Sequence, residues 1–178
     1  ELLKGREFED YVLSLFNLQE DDELILQEWQ GDKSYGKVKA ENNRNPDFVF
    51  RHRQNEFAVE CKWREKLSRD LSKDLFPIKR IENYKHFSEV RHMPVTIILG
   101  VGGEPCNPEL LYKIPLNEIA PIISGNQSIA NYLHPVFSFD VSMFLRPEEN
   151  TKERAYTLSE KREKYPNAYK PWNTDDDK

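Results

Sequence analysis

Two short apolar runs, Phe48-Val49-Phe50 and Phe57-Ala58-Val59, flank the polar stretch Arg51-His52-Arg53-Gln54-Asn55-Glu56, and this spacing constrains the fold more than any other feature of the chain. Aromatic and β-branched residues interrupted by one polar turn predict a β-hairpin. With Gln54-Asn55 as the turn, the numbers of facing residues sum to 109, which sets Asp47 opposite Lys62 and Val49 opposite Glu60. Residues two apart on a strand share a face. Asp47, Glu60 and Lys62 are therefore expected on one face, two carboxylates and an ammonium together. Such a group can hold a divalent cation and orient a water against a phosphodiester.

The tripeptide Glu60-Cys61-Lys62 alone carries little weight in a chain with 31 acidic residues among 178, and the same acid-x-Lys pattern recurs at Asp176-Asp177-Lys178. The information lies in the conjunction. Pro46-Asp47 opens one apolar strand, Glu60-Cys61-Lys62 closes the next, and the hairpin register superposes them.

A chain of 178 residues is of single-domain size and can bury about 70% of its unfolded surface. Cys61 and Cys106 lack zinc-finger spacing, and nothing resembles a secretory leader. The longest apolar run, Val95 to Val101, falls far short of the roughly 20 residues of a membrane span. A soluble, cytoplasmic protein with no membrane partner is expected. The net charge of −5 is unevenly spread: −8 over residues 1–32, +6 over 33–92, −2 over 93–146 and −1 over 147–178. The positive block coincides with the carboxylate cluster, as a site for both metal and polyanion would require.

Residues 4–18 predict an amphipathic helix with Phe8, Tyr11, Val12, Leu15 and Phe16 on its apolar stripe. Glu9 sits at the edge of that stripe, facing either a cavity beside the core or an exposed flank. Glu23 to Trp29 predicts a strand, and the loop from Gly31 to Asn45 carries Lys33, Lys37, Lys39 and Arg44. Pro77 opens a helix from Ile78 to about Arg91 with Ile81, Tyr84 and Phe87 or Ser88 inward, and Pro94 closes it. Val95 to Val101 is a β-branched run of the kind buried on both faces of a sheet. Leu110 to Leu116 predicts a further strand, Asn117 to Ser124 a short helix interrupted by Pro121, and Val136 to Phe144 a last strand or helix. The division expected is a domain over 1–146 and a charged extension, partly disordered, over 147–178.

The order helix, strand, strand, strand, helix, strand, with Asp47 at the start of the second strand and Glu60-Cys61-Lys62 near the end of the third, resembles the PD-(D/E)xK nuclease superfamily. The match spans about residues 4–116. Glu9 matches the acidic residue many members place on the first helix, and Tyr112-Lys113-Ile114-Pro115-Leu116 is similar to the sheet-closing segment of some bacterial members. The resemblance implies an α/β restriction-endonuclease-like core, a central mixed sheet flanked by helices.

It further implies that Asp47, Glu60 and the Cys61 backbone carbonyl bind Mg²⁺, with Mn²⁺ able to substitute, and that Lys62 orients the attacking water. Glu9 would support a water ligand or a second metal. The Cys61 side chain, alternating away from the site, is expected in the core, and His52, His86, His92 and His134 form no close ligand pair. The basic loop with Lys33, Lys37, Lys39 and Arg44, and the segment with Arg64 and Lys66, are the expected DNA-contacting flanks. Trp63 either stacks on a base or belongs to the core. The function implied is a Mg²⁺-dependent endonuclease acting on DNA, with a homodimer as a permitted assembly. A non-catalytic nucleic-acid-binding or assembly protein on the same fold is the alternative.

Overall fold

The hairpin forms where the apolar runs place it. Strands β2 (Phe48–His52) and β3 (Asn55–Arg64) pair antiparallel in a computed structural model that describes residues 2–30, 45–67, 77–121 and 129–146. The turn, however, is Arg53-Gln54 and not Gln54-Asn55. His52 faces Asn55 and Phe48 faces Val59, so facing residues sum to 107. Arg53 takes a left-handed φ of 56°. Its N–H donates to the Glu23 carbonyl at 3.1 Å and its guanidinium meets the Glu23 carboxylate at 2.8 Å. This anchorage outside the hairpin selects the turn, and the two-strand pattern alone carries no trace of it. A shift of two residues leaves every side chain on its original face. Continued one residue, the register sets Asp47 opposite Glu60 instead of Lys62.

Strand β1 (Leu24–Trp29) adds antiparallel to β2 with a bulge between Leu26 and Glu28. Helix α2 (Ile78–Arg91) then carries the chain across so that β4 (Val95–Val101) lies parallel to β3. β5 (Leu110–Pro115) and the two-residue β6 (His134–Pro135) complete a mixed six-stranded sheet in the order β1-β2-β3-β4-β5-β6. All seven β4 residues are buried, as expected of a strand sandwiched between helical layers.

One face of the sheet, with Val49, Ala58, Ile97 and Leu99, packs on Ile81, Tyr84 and Phe87 of α2. The other, with Phe48, Phe50, Val59 and Ile98, packs on Phe8, Val12 and Phe16 of helix α1 (Leu2–Leu15) and its following turn. The α1 helix ends earlier than residue 18 because Asn17 enters the left-handed region at φ 48°, a common helix stop. Arg91 at the end of α2 reaches Glu28 of β1 at 2.7 Å and ties the helix to the far edge of the sheet.

Two further expectations are corrected. The fifth strand stops at Pro115, and Leu116–Ile119 forms the single helical turn α3. Val136 to Phe144 is neither strand nor α-helix: pairing is confined to His134–Pro135, and Val141–Phe144 is a 3-10 turn. Asp140 causes this by accepting the Ser142 N–H at 2.8 Å, the competition by which Asp favours caps over ladders. The loop bearing Lys33, Lys37, Lys39 and Arg44, and the extension 147–178, lie outside the described residues. Among the described residues no helix is long and apolar enough to cross a membrane.

Gly100 of β4 seats α1. A Cβ there would stand 2.4 Å from the ring of Phe8, which is itself fully buried, so the ring lies directly on the strand backbone. Gly100→Ala is expected to destabilise the fold by about 1–3 kcal/mol through overpacking, read as a lowered Tm. An unchanged Tm would mean that α1 is not held by this contact.

Candidate active site

At the end of the sheet where β2 begins and β3 ends, two carboxylates are buried, Asp47 at 3% exposure and Glu60 at 2%. Glu60 faces Ile97 of β4 in the parallel register, on the α2 side of the sheet. Asp47 precedes β2 and is fixed from both ends. Its carbonyl accepts the Gln30 N–H at 2.8 Å, and its Oδ2 accepts the Cys61 N–H at 2.9 Å. A bend at the mouth of the hairpin thus crosses onto the backbone of the neighbouring strand. The Cys61 peptide, expected to take part through its carbonyl, is held in place by Asp47 through its N–H.

Lys62, two residues beyond Glu60 and therefore on the same face, sets its Nζ 3.1 Å from Glu60 Oε1. The structure thus brings together Asp47, Glu60 and Lys62. It adds two residues of α2 that periodicity assigned to core or surface. Arg80 Nη1 lies 3.6 Å from the same Glu60 oxygen and donates to the Tyr84 hydroxyl at 3.3 Å. Burial, and then the charge of Glu60, push the Tyr84 phenol well above its usual range, so it stays a neutral hydroxyl. Burial opposes the charge of Arg80, but its hydrogen bond to Tyr84 and the charges of Glu60 and Asp47 outweigh it and hold the guanidinium protonated. The signal available in sequence was an Arg four residues before an inward Tyr, in the first turn of a helix that returns over the end of β3.

The remaining candidates fall around this group. Glu9 is half-buried on α1, on the side of the sheet to which Cys61 and Trp63 belong. Burial, and then the charges of Asp47, Glu60 and Glu9, raise the Cys61 thiol well above its usual range. The charge of Glu9 acts on the Cys61 thiol from the same side of β3. Trp63 packs with the core, donates from Nε1 to the Gly102 carbonyl at 3.3 Å and carries Lys4 over its ring at 5.0 Å. Arg64 is half-buried and donates to the Trp63 carbonyl at 2.8 Å, and Lys66 is exposed.

A second acidic group lies at the opposite end of β2. Asp21, Glu23 and His52 bring ligand-type atoms within 4.8 Å of one another, with His52 Nε2 3.7 Å from Asp21 and 3.8 Å from Glu23. Sequence spacing offers His52 no close ligand pair, because Asp21 and Glu23 reach it only through the β1–β2 pairing. Glu23 is already bound by Arg53, and Asp21 accepts the Glu23 N–H at 2.9 Å, so this group works as an ion-pair lock on the hairpin end. A cavity of about 690 Å³ bordered by Lys85, Thr96, Lys113 and Arg146 opens beside the start of β4, away from Asp47 and Glu60.

The chain has an α/β core, with a helix, a three-stranded meander, a crossover helix and a fourth strand parallel to the third. Pro46-Asp47 lies immediately before β2 and Glu60-Cys61-Lys62 in the second half of β3. No family model matches the chain, and no curated protein matches it. Among solved structures it is similar to Hjc, a Holliday junction resolvase from the archaeal hyperthermophile Archaeoglobus fulgidus, at 14% identity over 79% of this chain and 91% of that one, with a TM-score of 0.41.

Asp47→Ala is expected to cost about 1–3 kcal/mol by stranding the Cys61 N–H, whereas Asp47→Asn keeps an acceptor and costs less; urea unfolding measures both. Equal losses would show that the bond to Cys61 does not hold the site. At pH 8 an alkylating reagent is expected to modify exposed Cys106 first and to spare Cys61, whose thiol is kept protonated. Equal labelling of the two in the native protein would mean that its surroundings do not keep the Cys61 thiol protonated.

Proposed function

We propose that this chain is a divalent-metal-dependent nuclease that hydrolyses phosphodiester bonds of DNA. The observation that supports this reading most directly is the burial of Asp47 and Glu60 on one sheet face, at 3% and 2% exposure, beside Lys62. Two buried carboxylates are costly to a fold unless paired, and here the Cys61 N–H, Lys62 and Arg80 hold both at one end of the sheet. Hard oxygen ligands at a partly lined site suit Mg²⁺, which keeps several waters and takes one or two carboxylates.

Asp47, Glu60 and the Cys61 carbonyl would hold Mg²⁺ or Mn²⁺, with Glu9 supporting the site through water from the α1 side. When bound, the cation neutralises charge on the phosphate and acidifies a water for attack. Lys62 donates from Nζ to that water, and its charge offsets the charge that grows on the phosphoryl oxygens. Tyr84 acts as a neutral hydroxyl that keeps Glu60 and Arg80 in place. Arg64 and Lys66 would meet flanking phosphates, joined by Lys33, Lys37, Lys39 and Arg44. Contacts of this type fix position on the backbone and carry no base sequence.

A cleavage assay with and without Mg²⁺ on supercoiled, linear, branched and single-stranded DNA tests the reading. Cleavage is expected only with the cation, lost in Asp47→Asn and Glu60→Gln, and slowed by a factor on the order of 10² or more in Lys62→Ala. Cleavage by Asp47→Asn at the unchanged rate, or no cleavage of any of these DNAs with Mg²⁺ or Mn²⁺, would overturn it.

A further inference from the structure

Two cations from different elements meet one oxygen of the buried acidic pair. Lys62 Nζ and Arg80 Nη1 stand 3.1 and 3.6 Å from Glu60 Oε1. Lys62 belongs to β3, and its side chain is only 12% exposed. Arg80 projects from the first turn of α2 and is 39% exposed against 3% for Glu60, so it covers the carboxylate from the solvent side. The same Nη1 rests on the Tyr84 hydroxyl at 3.3 Å. Arg80 is thus the half-exposed member of an otherwise enclosed group, held by contacts longer than those of Lys62.

We propose that Arg80 is a latch that couples metal loading to substrate. In the metal-free protein it neutralises Glu60; when a divalent cation and a phosphodiester enter, it leaves Glu60 for the phosphate. This rests on the reading of Asp47 and Glu60 as metal ligands. The charge balance carries the argument. Lys62 and Arg80 offset the charges of Asp47 and Glu60, so a divalent cation competes with Arg80 for Glu60 and adds positive charge that a phosphate anion relieves. Metal and phosphate therefore bind better together than apart. A planar guanidinium with five N–H donors fits phosphate oxygens in a bidentate fork, whereas an ammonium acts as a point charge. Arg80 can therefore hold one carboxylate oxygen or two phosphate oxygens, and the partner decides which. Tyr84 supplies a neutral rest for the side chain in either state.

The test is calorimetric titration of Mn²⁺ alone into the unchanged protein, R80A, R80K and Asp47→Asn, with Ca²⁺-stimulated binding of a short labelled DNA duplex as the second readout. Removing the competing charge is expected to tighten Mn²⁺ binding in R80A about three- to tenfold and to abolish most of the stimulation of DNA binding. R80K is expected to restore the unchanged Mn²⁺ affinity but not the stimulation. A merely structural Arg80 would loosen the site and weaken Mn²⁺ binding instead. Mn²⁺ affinity in R80A that is equal to or weaker than in the unchanged protein, while Asp47→Asn still abolishes binding, would overturn the latch alone. Mn²⁺ binding that survives in Asp47→Asn would overturn the metal reading and the latch with it.

Discussion

Burying Asp47 beside Glu60 is the constraint around which the end of the sheet is arranged. Neither carboxylate can be left bare in a low-dielectric setting, and each is met by a group that the topology delivers. Asp47 is met by the Cys61 N–H at 2.9 Å, because β2 and β3 are antiparallel neighbours in a fixed register. Glu60 is met by Lys62 from its own strand, two residues on, and by Arg80 from the helix that returns over that strand. Moving β3 by one residue would send Glu60 and Lys62 to the α1 face, among Phe8, Val12 and Phe16.

The two helical layers serve this end of the sheet differently. α2 must start near the end of β3 if β4 is to lie parallel to it, and its first turn therefore overhangs Glu60 and Lys62. α1 approaches the other face, drawn close where Gly100 admits the Phe8 ring, which brings Glu9 to the Cys61 side of β3. The opposite end of β2 is closed by His52, Asp21, Glu23 and Arg53. That lock sets the turn at Arg53-Gln54 and, through the register, brings Asp47 to the position facing Glu60.

The fold was legible because its strands declare themselves: Phe48 to Phe50, Phe57 to Val59 and Val95 to Val101 are apolar runs whose length and branching suit nothing else. The shared face of Asp47, Glu60 and Lys62 was legible for a different reason. The turn was misplaced, but by an even number of residues, and strand parity survived. Arg80 and Tyr84 were missed because helical periodicity reports which side is buried and not which buried residue meets a carboxylate on another element. Tyr84 has the periodicity of a core residue and also borders Glu60. The grouping of Asp21 and Glu23 with His52 was invisible for the same reason, being made by the β1–β2 pairing.

In the proposed function the buried carboxylates, and not the acidic group at the hairpin end, hold the cation. An anomalous-scattering map of crystals soaked in Mn²⁺ tests it most directly. The account expects a peak within about 2.0–2.4 Å of an Asp47 oxygen and a Glu60 oxygen, close to the Cys61 carbonyl. A peak among Asp21, Glu23 and His52 with none at Asp47 and Glu60 would contradict it.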